Sequence, residues 1–193
     1  MKKILTLIAL TLVLPAQAEI FRAKFGNSKL TINGDSSVHK WKVETKVVGG
    51  FLQVDSSALA EPGKIETKGK VIIPVRQLKS GKKRMDEVMH AAMNEKKHKL
   101  IDFTLAGLNV KSVKGGVANC TSNGSIKING KTKPLTMNIT IASKGDQLAV
   151  TGSALLKMTD FGITPPSPKL PTGNIVTKDE VNISFEWVVA KAK

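Results

Sequence analysis

Asp35, Ser37 and His39 bring the three side-chain types of a nucleophilic triad within five residues. On an extended strand they would share one face at a spacing of roughly 6–7 Å, beyond hydrogen-bond reach. They therefore read as a polar strand end or as groups lining a mouth. Asp86 and His90 stand at i, i+4 and face the same side of a helix, but a metal site needs further ligands that the sequence does not offer. A hydrogen bond between the two is the simpler expectation. Cys120 is the sole cysteine and has no disulfide partner, so it reads as a small buried apolar residue. These patterns point to no catalytic residue, no metal and no cofactor. The cations Lys82, Lys83 and Arg84 are different, because they precede a helix whose dipole disfavours positive charge at that end. An anion bound at the helix N-terminus would give them a role.

The elements that must position these groups are mostly strands. Met85, Val88, Met89, Ala92 and Met93 follow helical spacing, which predicts an amphipathic helix over Lys82 to Asn94 with Ser80 as N-cap. Elsewhere apolar residues recur at every second position. Lys29 to Ser37 predicts a strand, and Trp41, Val43, Thr45 and Val47 alternate with Lys40, Lys42, Glu44 and Lys46. Gly49-Gly50 is expected to turn the chain into Phe51 to Val54. Ile65 to Ile73 alternates up to Pro74, and Ile101, Phe103 and Leu105 resume the pattern until a turn expected over Lys111 to Gly116. Cys120 to Ile128 leads into Asn129-Gly130, a strong type I′ hairpin signal. Leu135 to Ile141, Leu148 to Leu156 and Val181 to Val189 complete the set, and Thr159 to Gly173, with Pro165, Pro166, Pro168 and Pro171, is a long loop. About eight strands predict an all-β antiparallel domain, either a sandwich or an up-and-down barrel. Gly69, Gly124, Gly152 and Ala154 on inward faces favour a barrel with room inside.

Lys2 and Lys3, an apolar run from Ile4 to Leu14, and Ala16-Gln17-Ala18 read as a signal peptide over residues 1–18, cleaved after Ala18. Residues 19–193 are then expected to form a single domain in the periplasm. Loss of Lys2 and Lys3 takes the net charge only from +15 to +13. Apart from Arg22, Arg76 and Arg84 the cations are lysines, which suits a hydrated basic surface better than base recognition, so nucleic acid is not an expected partner.

Ser37-Val38-His39-Lys40-Trp41, Leu78 to His90, His98 to Phe103, Ile128 to Lys133, and Asp160 to Ile163 with Pro165-Pro166 together resemble the YceI-like family, over nearly the whole mature chain. The resemblance implies a periplasmic, lipocalin-like antiparallel barrel. Its lumen would hold a long polyisoprenoid, a quinone precursor or a fatty-acid derivative. A chain ligand would meet Met85, Met89, Met137 and Met158, whose thioethers adapt to irregular shapes. Trp41, Val43, Phe103 and Leu105 would line it with Ile139, Phe161 and Phe185. Its head group would lie by His39, Lys82, Lys83 and Arg84, and the proline loop would act as a lid. Two other functions stay open: an enzyme using His39 or His98 on such a substrate, and a basic module for acidic envelope polymers. A homodimer and a transient contact with a membrane surface or membrane protein stay open as partners.

Overall fold

The computed structural model describes residues 18–171 and 173–192, so the expected export segment lies outside the described residues apart from Ala18. In chain order the strands are β1 (Glu19–Ala23), β2 (Lys29–Gly34), β3 (Trp41–Thr45), β4 (Gly49–Val54), β5 (Gly63–Ile65) and β6 (Lys68–Pro74). Helix α1 (Lys83–Ala92) follows, then β7 (Leu100–Lys114), β8 (Val117–Ile128), β9 (Lys131–Lys144) and β10 (Gln147–Lys157). The chain ends with β11 (Lys169–Leu170), β12 (Gly173–Asn174) and β13 (Glu180–Lys191).

Eight strands close an antiparallel ring in the order β1, β4, β6, β7, β8, β9, β10, β13 and back to β1. β13 pairs with β2 through Asn182 to Glu186 and with β1 through Val189 to Lys191. β1 and β2 are thus two halves of one interrupted strand. β3 and β4 continue them in the same way, since β2 pairs with β3 and β1 with β4. The ring is an up-and-down barrel, and closure leaves few free edges.

Several local expectations needed correction. β1 was not anticipated, because in five residues only Phe21 is buried and no alternation can show. β2 stops at Gly34 rather than Ser37, which puts Asp35, Ser37 and His39 in a loop. Gly49-Gly50 lies inside β4; the bend comes at Lys46, and Val48 rather than Val47 turns inward. A Cβ on Gly50 would sit 1.8 Å from the Lys70 carbonyl oxygen, so only glycine allows β4 and β6 to meet there. β7 runs on to Lys114 because bulges between Leu105 and Gly107 and between Val110 and Ser112 shift which residues face inward. The turn after it is only Gly115-Gly116. Asn129 and Gly130 have positive φ of 49° and 77°, as the type I′ hairpin requires.

The two ends of the barrel differ. One carries the turns at Gly115-Gly116 and Gly145-Asp146 and is filled by Phe21, Val54, Val110, Ala118, Leu148 and Val189, all buried. Leu59, from a short 3-10 turn at Ser57–Ala60, is buried there as well. The other end carries the β2–β3 loop, α1, the Asn129-Gly130 hairpin and the proline-rich loop. That loop contains a 3-10 turn at Thr159–Phe161, buried Phe161 and Ile163, and the β11–β12 pair. Asn129 Nδ2 fastens it by donating to the Phe161 carbonyl at 3.1 Å.

Candidate functional site: an apolar cavity with a basic rim

Inward residues in the half of the barrel nearest α1 are only partly buried, although they face away from bulk water. Val71, Phe103, Leu135, Met137, Ile183 and Phe185 all behave this way, as do Met85, Val88 and Met89 on the inner face of α1. They surround a hollow of about 690 Å³, within the usual range for a small-molecule site. Its β9 wall runs from Leu135 to Ile141, roughly 20 Å of strand at the usual rise per residue. All eleven residues expected to meet a chain line this space. Trp41 and Val43 come from β3, Phe103 and Leu105 from β7, Met137 and Ile139 from β9, and Phe185 from β13. Met85 and Met89 face it from α1, and Met158 and Phe161 from the loop after β10. Val71, Val88, Leu135 and Ile183 line it too; they lay on the expected inward faces, and only the assembled register reveals them as wall.

The inward glycines do not leave the cavity open in the way expected. Gly124 and Gly152 seat aromatic rings instead, as does Gly34, whereas Gly69 lies against Leu105 and Leu52. A Cβ on Gly34 would lie 2.0 Å from the Trp41 ring, one on Gly124 would lie 2.7 Å from the Phe103 ring, and one on Gly152 would lie 2.8 Å from the Phe185 ring. Rings lying over cross-strand glycines cover the backbone without projecting across the barrel. Trp41 is further fixed by its Nε1–H, which donates to the Asp35 carbonyl at 3.2 Å. Trp187 lies deeper, and its Nε1 is buried without a hydrogen-bond partner among the described residues.

α1 starts one residue later than expected, with Lys82 at the N-cap position and no side-chain cap. Ser80 lies outside the helix, where Asp86 holds it: the Ser80 N–H and hydroxyl donate to Asp86 Oδ1 at 2.7 and 2.6 Å. Burial raises the Asp86 carboxyl, but these bonds outweigh it and leave it below its ordinary range. His90 does not meet Asp86; its Nε2–H donates to the Leu78 carbonyl at 3.0 Å. Leu78 is itself fully buried, so this bond ties the helix to the core.

His39, Lys82 and Arg84 lie on the cavity's lining, whereas Lys83 lies outside it and is exposed. Lys157 and Lys169 join the rim, and Lys70 lies in the wall, paired with Asp102 at 3.3 Å. Among the described residues no carboxylate lines the cavity. Lys157 closes its strand on the outward parity and Lys169 sits in the irregular loop, so no sequence period marked either.

Asp35, Ser37 and His39 do not assemble as a triad. The Lys178 Nζ donates to Asp35 at 2.7 Å and the Ser36 N–H at 2.8 Å, which together hold that carboxyl below its ordinary range. Ser37 Oγ instead accepts from the Val176 N–H at 3.0 Å. His98 lies against Gly130, away from the cavity. Cys120 is buried on the inner face of β8, and burial pushes its thiol upward in pKa.

The YceI-like domain family matches residues 21–189. Among solved structures, BcnA of Burkholderia cenocepacia superposes with a TM-score of 0.67 at 18% identity, over 86% of this chain and 98% of that one. A polyisoprenoid-binding domain of Saccharophagus degradans, implicated in plant cell wall breakdown, gives 0.68 at 11% identity, over 89% and 98%. A YceI protein of Campylobacter jejuni gives 0.59 at 17% identity, over 78% and 84%. These similarities show a shared fold. No curated relative matches the sequence.

Proposed function

The chain belongs to the YceI-like family, and from that premise we propose that it binds the apolar chain of an amphiphile in its barrel, without catalysing a reaction on it. The observation that carries this reading is the cavity itself: one end of the barrel is filled with core, and the other is hollow, apolar and rimmed with cations. Each methylene removed from water contributes about 0.8 kcal/mol, so burying ten of them gives about 8 kcal/mol before the cost of ordering chain and protein. Specificity then comes from length and head group. A polyisoprenoid is the chain we favour, because a structural neighbour is a polyisoprenoid-binding domain and the flexible Met85, Met89, Met137 and Met158 suit a branched, mobile chain. We further propose that the protein is exported to the periplasm, on the strength of Lys2, Lys3, the apolar Ile4 to Leu14 run and Ala16-Gln17-Ala18.

The purified mature protein should yield a stoichiometric amphiphile on solvent extraction and mass spectrometry, or take up a fluorescent polyprenyl probe. A protein that neither retains an amphiphile nor takes up the probe would overturn the reading. Turnover of a bound lipid that His39→Ala abolishes would replace a carrier with an enzyme.

A further inference from the structure

Val38 and Val176 are 60% and 59% exposed. They sit on two segments that hydrogen bonds tie together, the Ser37 N–H donating to the Val176 carbonyl at 2.9 Å and the Val176 N–H to Ser37 Oγ at 3.0 Å. Ser36, His39, Ile175 and Thr177, which flank the two valines, line the cavity. Both valines therefore stand on its rim and turn away from it. Leu155, 63% exposed on the outer face of β10, and Leu100 at the start of β7 belong to the same end of the barrel.

Charge is distributed to match. Lys40, Lys82, Lys83, Arg84 and Lys169 are exposed around the opening. At this end Asp35 pairs with Lys178, Glu87 with Arg84 and Glu180 with Lys157, and Asp160 is exposed, while Lys40, Lys82, Lys83 and Lys169 have no carboxylate partner among the described residues. At the filled end Glu19, Asp55, Glu61, Glu66 and Asp146 are interleaved with the lysines.

We infer that the open end of the barrel docks on an anionic lipid bilayer, with Val38 and Val176 entering the head-group layer and the rim cations against acidic lipid phosphates. Single apolar side chains separated by cations suit that interface, where each cation near the surface adds to binding and each apolar group adds area. A protein partner would instead call for a contiguous apolar patch. The inference rests on the rim and not on what fills the cavity, so the two readings fail separately.

The test is sedimentation of the ligand-free mature protein with phosphatidylcholine vesicles, with and without added phosphatidylglycerol. Binding is expected only to the acidic vesicles and should weaken as salt rises. The K82S/R84S double variant should lose about thirtyfold in partitioning. V38S/V176S should lose about fivefold or more while its salt dependence stays the same. Phe25, 79% exposed on the barrel's flank where β1 gives way to β2, provides the control, and F25S should bind as the parent does. All five positions are exposed, and thermal melts are to check that each variant folds. Equal partitioning to both kinds of vesicle, no binding to acidic vesicles, or loss in F25S with V38S/V176S unaffected would each overturn the inference.

Discussion

The two tryptophans divide the cavity's chemistry between them. Trp41 is half-buried on the wall, and Trp187 is buried with an orphan N–H. An unpaired buried donor carries a desolvation penalty, so Trp187→Phe removes a cost along with some packing, and its stability should stay within about 1 kcal/mol of the parent. In that variant Trp41 is the sole tryptophan, and its emission should shift when a chain enters; an unmoved spectrum under saturating probe would show that the wall at Trp41 is not used. Asp35 makes a second case. Lys178 and the Ser36 N–H hold it below its ordinary range, so the folded state releases its proton more readily than the unfolded chain. That contribution is complete above about pH 4 and fades as the pH falls through the lowered value. Asp35→Asn should therefore lower the urea midpoint at neutral and alkaline pH and flatten the acid side of its pH curve, the variant and the parent converging at low pH.

At the scale of the element, α1 is held at its ends and loose along its middle. Leu78 and Met93 are buried just outside it, while Met85, Val88 and Met89 face the hollow and are only half-buried. Leu78→Ala should cost about 2–5 kcal/mol in urea denaturation, as cavity formation in a packed core does. Met89→Ala should cost clearly less, because it faces a hollow rather than a packed core. Equal costs would mean that the helix plugs a filled core. The helix period was legible in the sequence because five apolar residues repeat at 3.6. Its start was not, since Asp86 captures Ser80 and leaves Lys82 to begin the helix uncapped.

For the whole molecule, the division into a filled and a hollow half is what makes a site. Ala154 and Ala118 both face inward, the first in the hollow and the second in the filled end, where it is fully packed. Ala154→Phe should leave stability unchanged or raised and cut uptake of a polyprenyl probe at least tenfold, whereas Ala118→Phe should destabilise by about 1–3 kcal/mol through overpacking. Thermal melts and probe titration on the two variants check this directly. The same substitution with the same effect in both places would mean that the barrel has no hollow half.

The longer strands, most of their inward faces, the Asn129-Gly130 hairpin and the helix could be read from the sequence, because each is written in spacing over a few neighbouring residues, whereas the short β1 could not. Trp41, Val43, Phe103, Leu105, Met137, Ile139 and Phe185 could likewise be placed on inward strand faces, and all of them line the cavity. The tertiary structure alone decided the rest. Bulges in β7 reverse parity without any local signal, and the glycines took on the role of seats for Trp41, Phe103 and Phe185 only when strands distant in sequence came into register. The position of the helix and the proline-rich loop at the same end, with His39, Lys82, Arg84, Lys157 and Lys169 around one opening, follows from closing the ring. Closure is a long-range event, and hydrophobic periodicity records only which side of its own strand or helix a residue occupies.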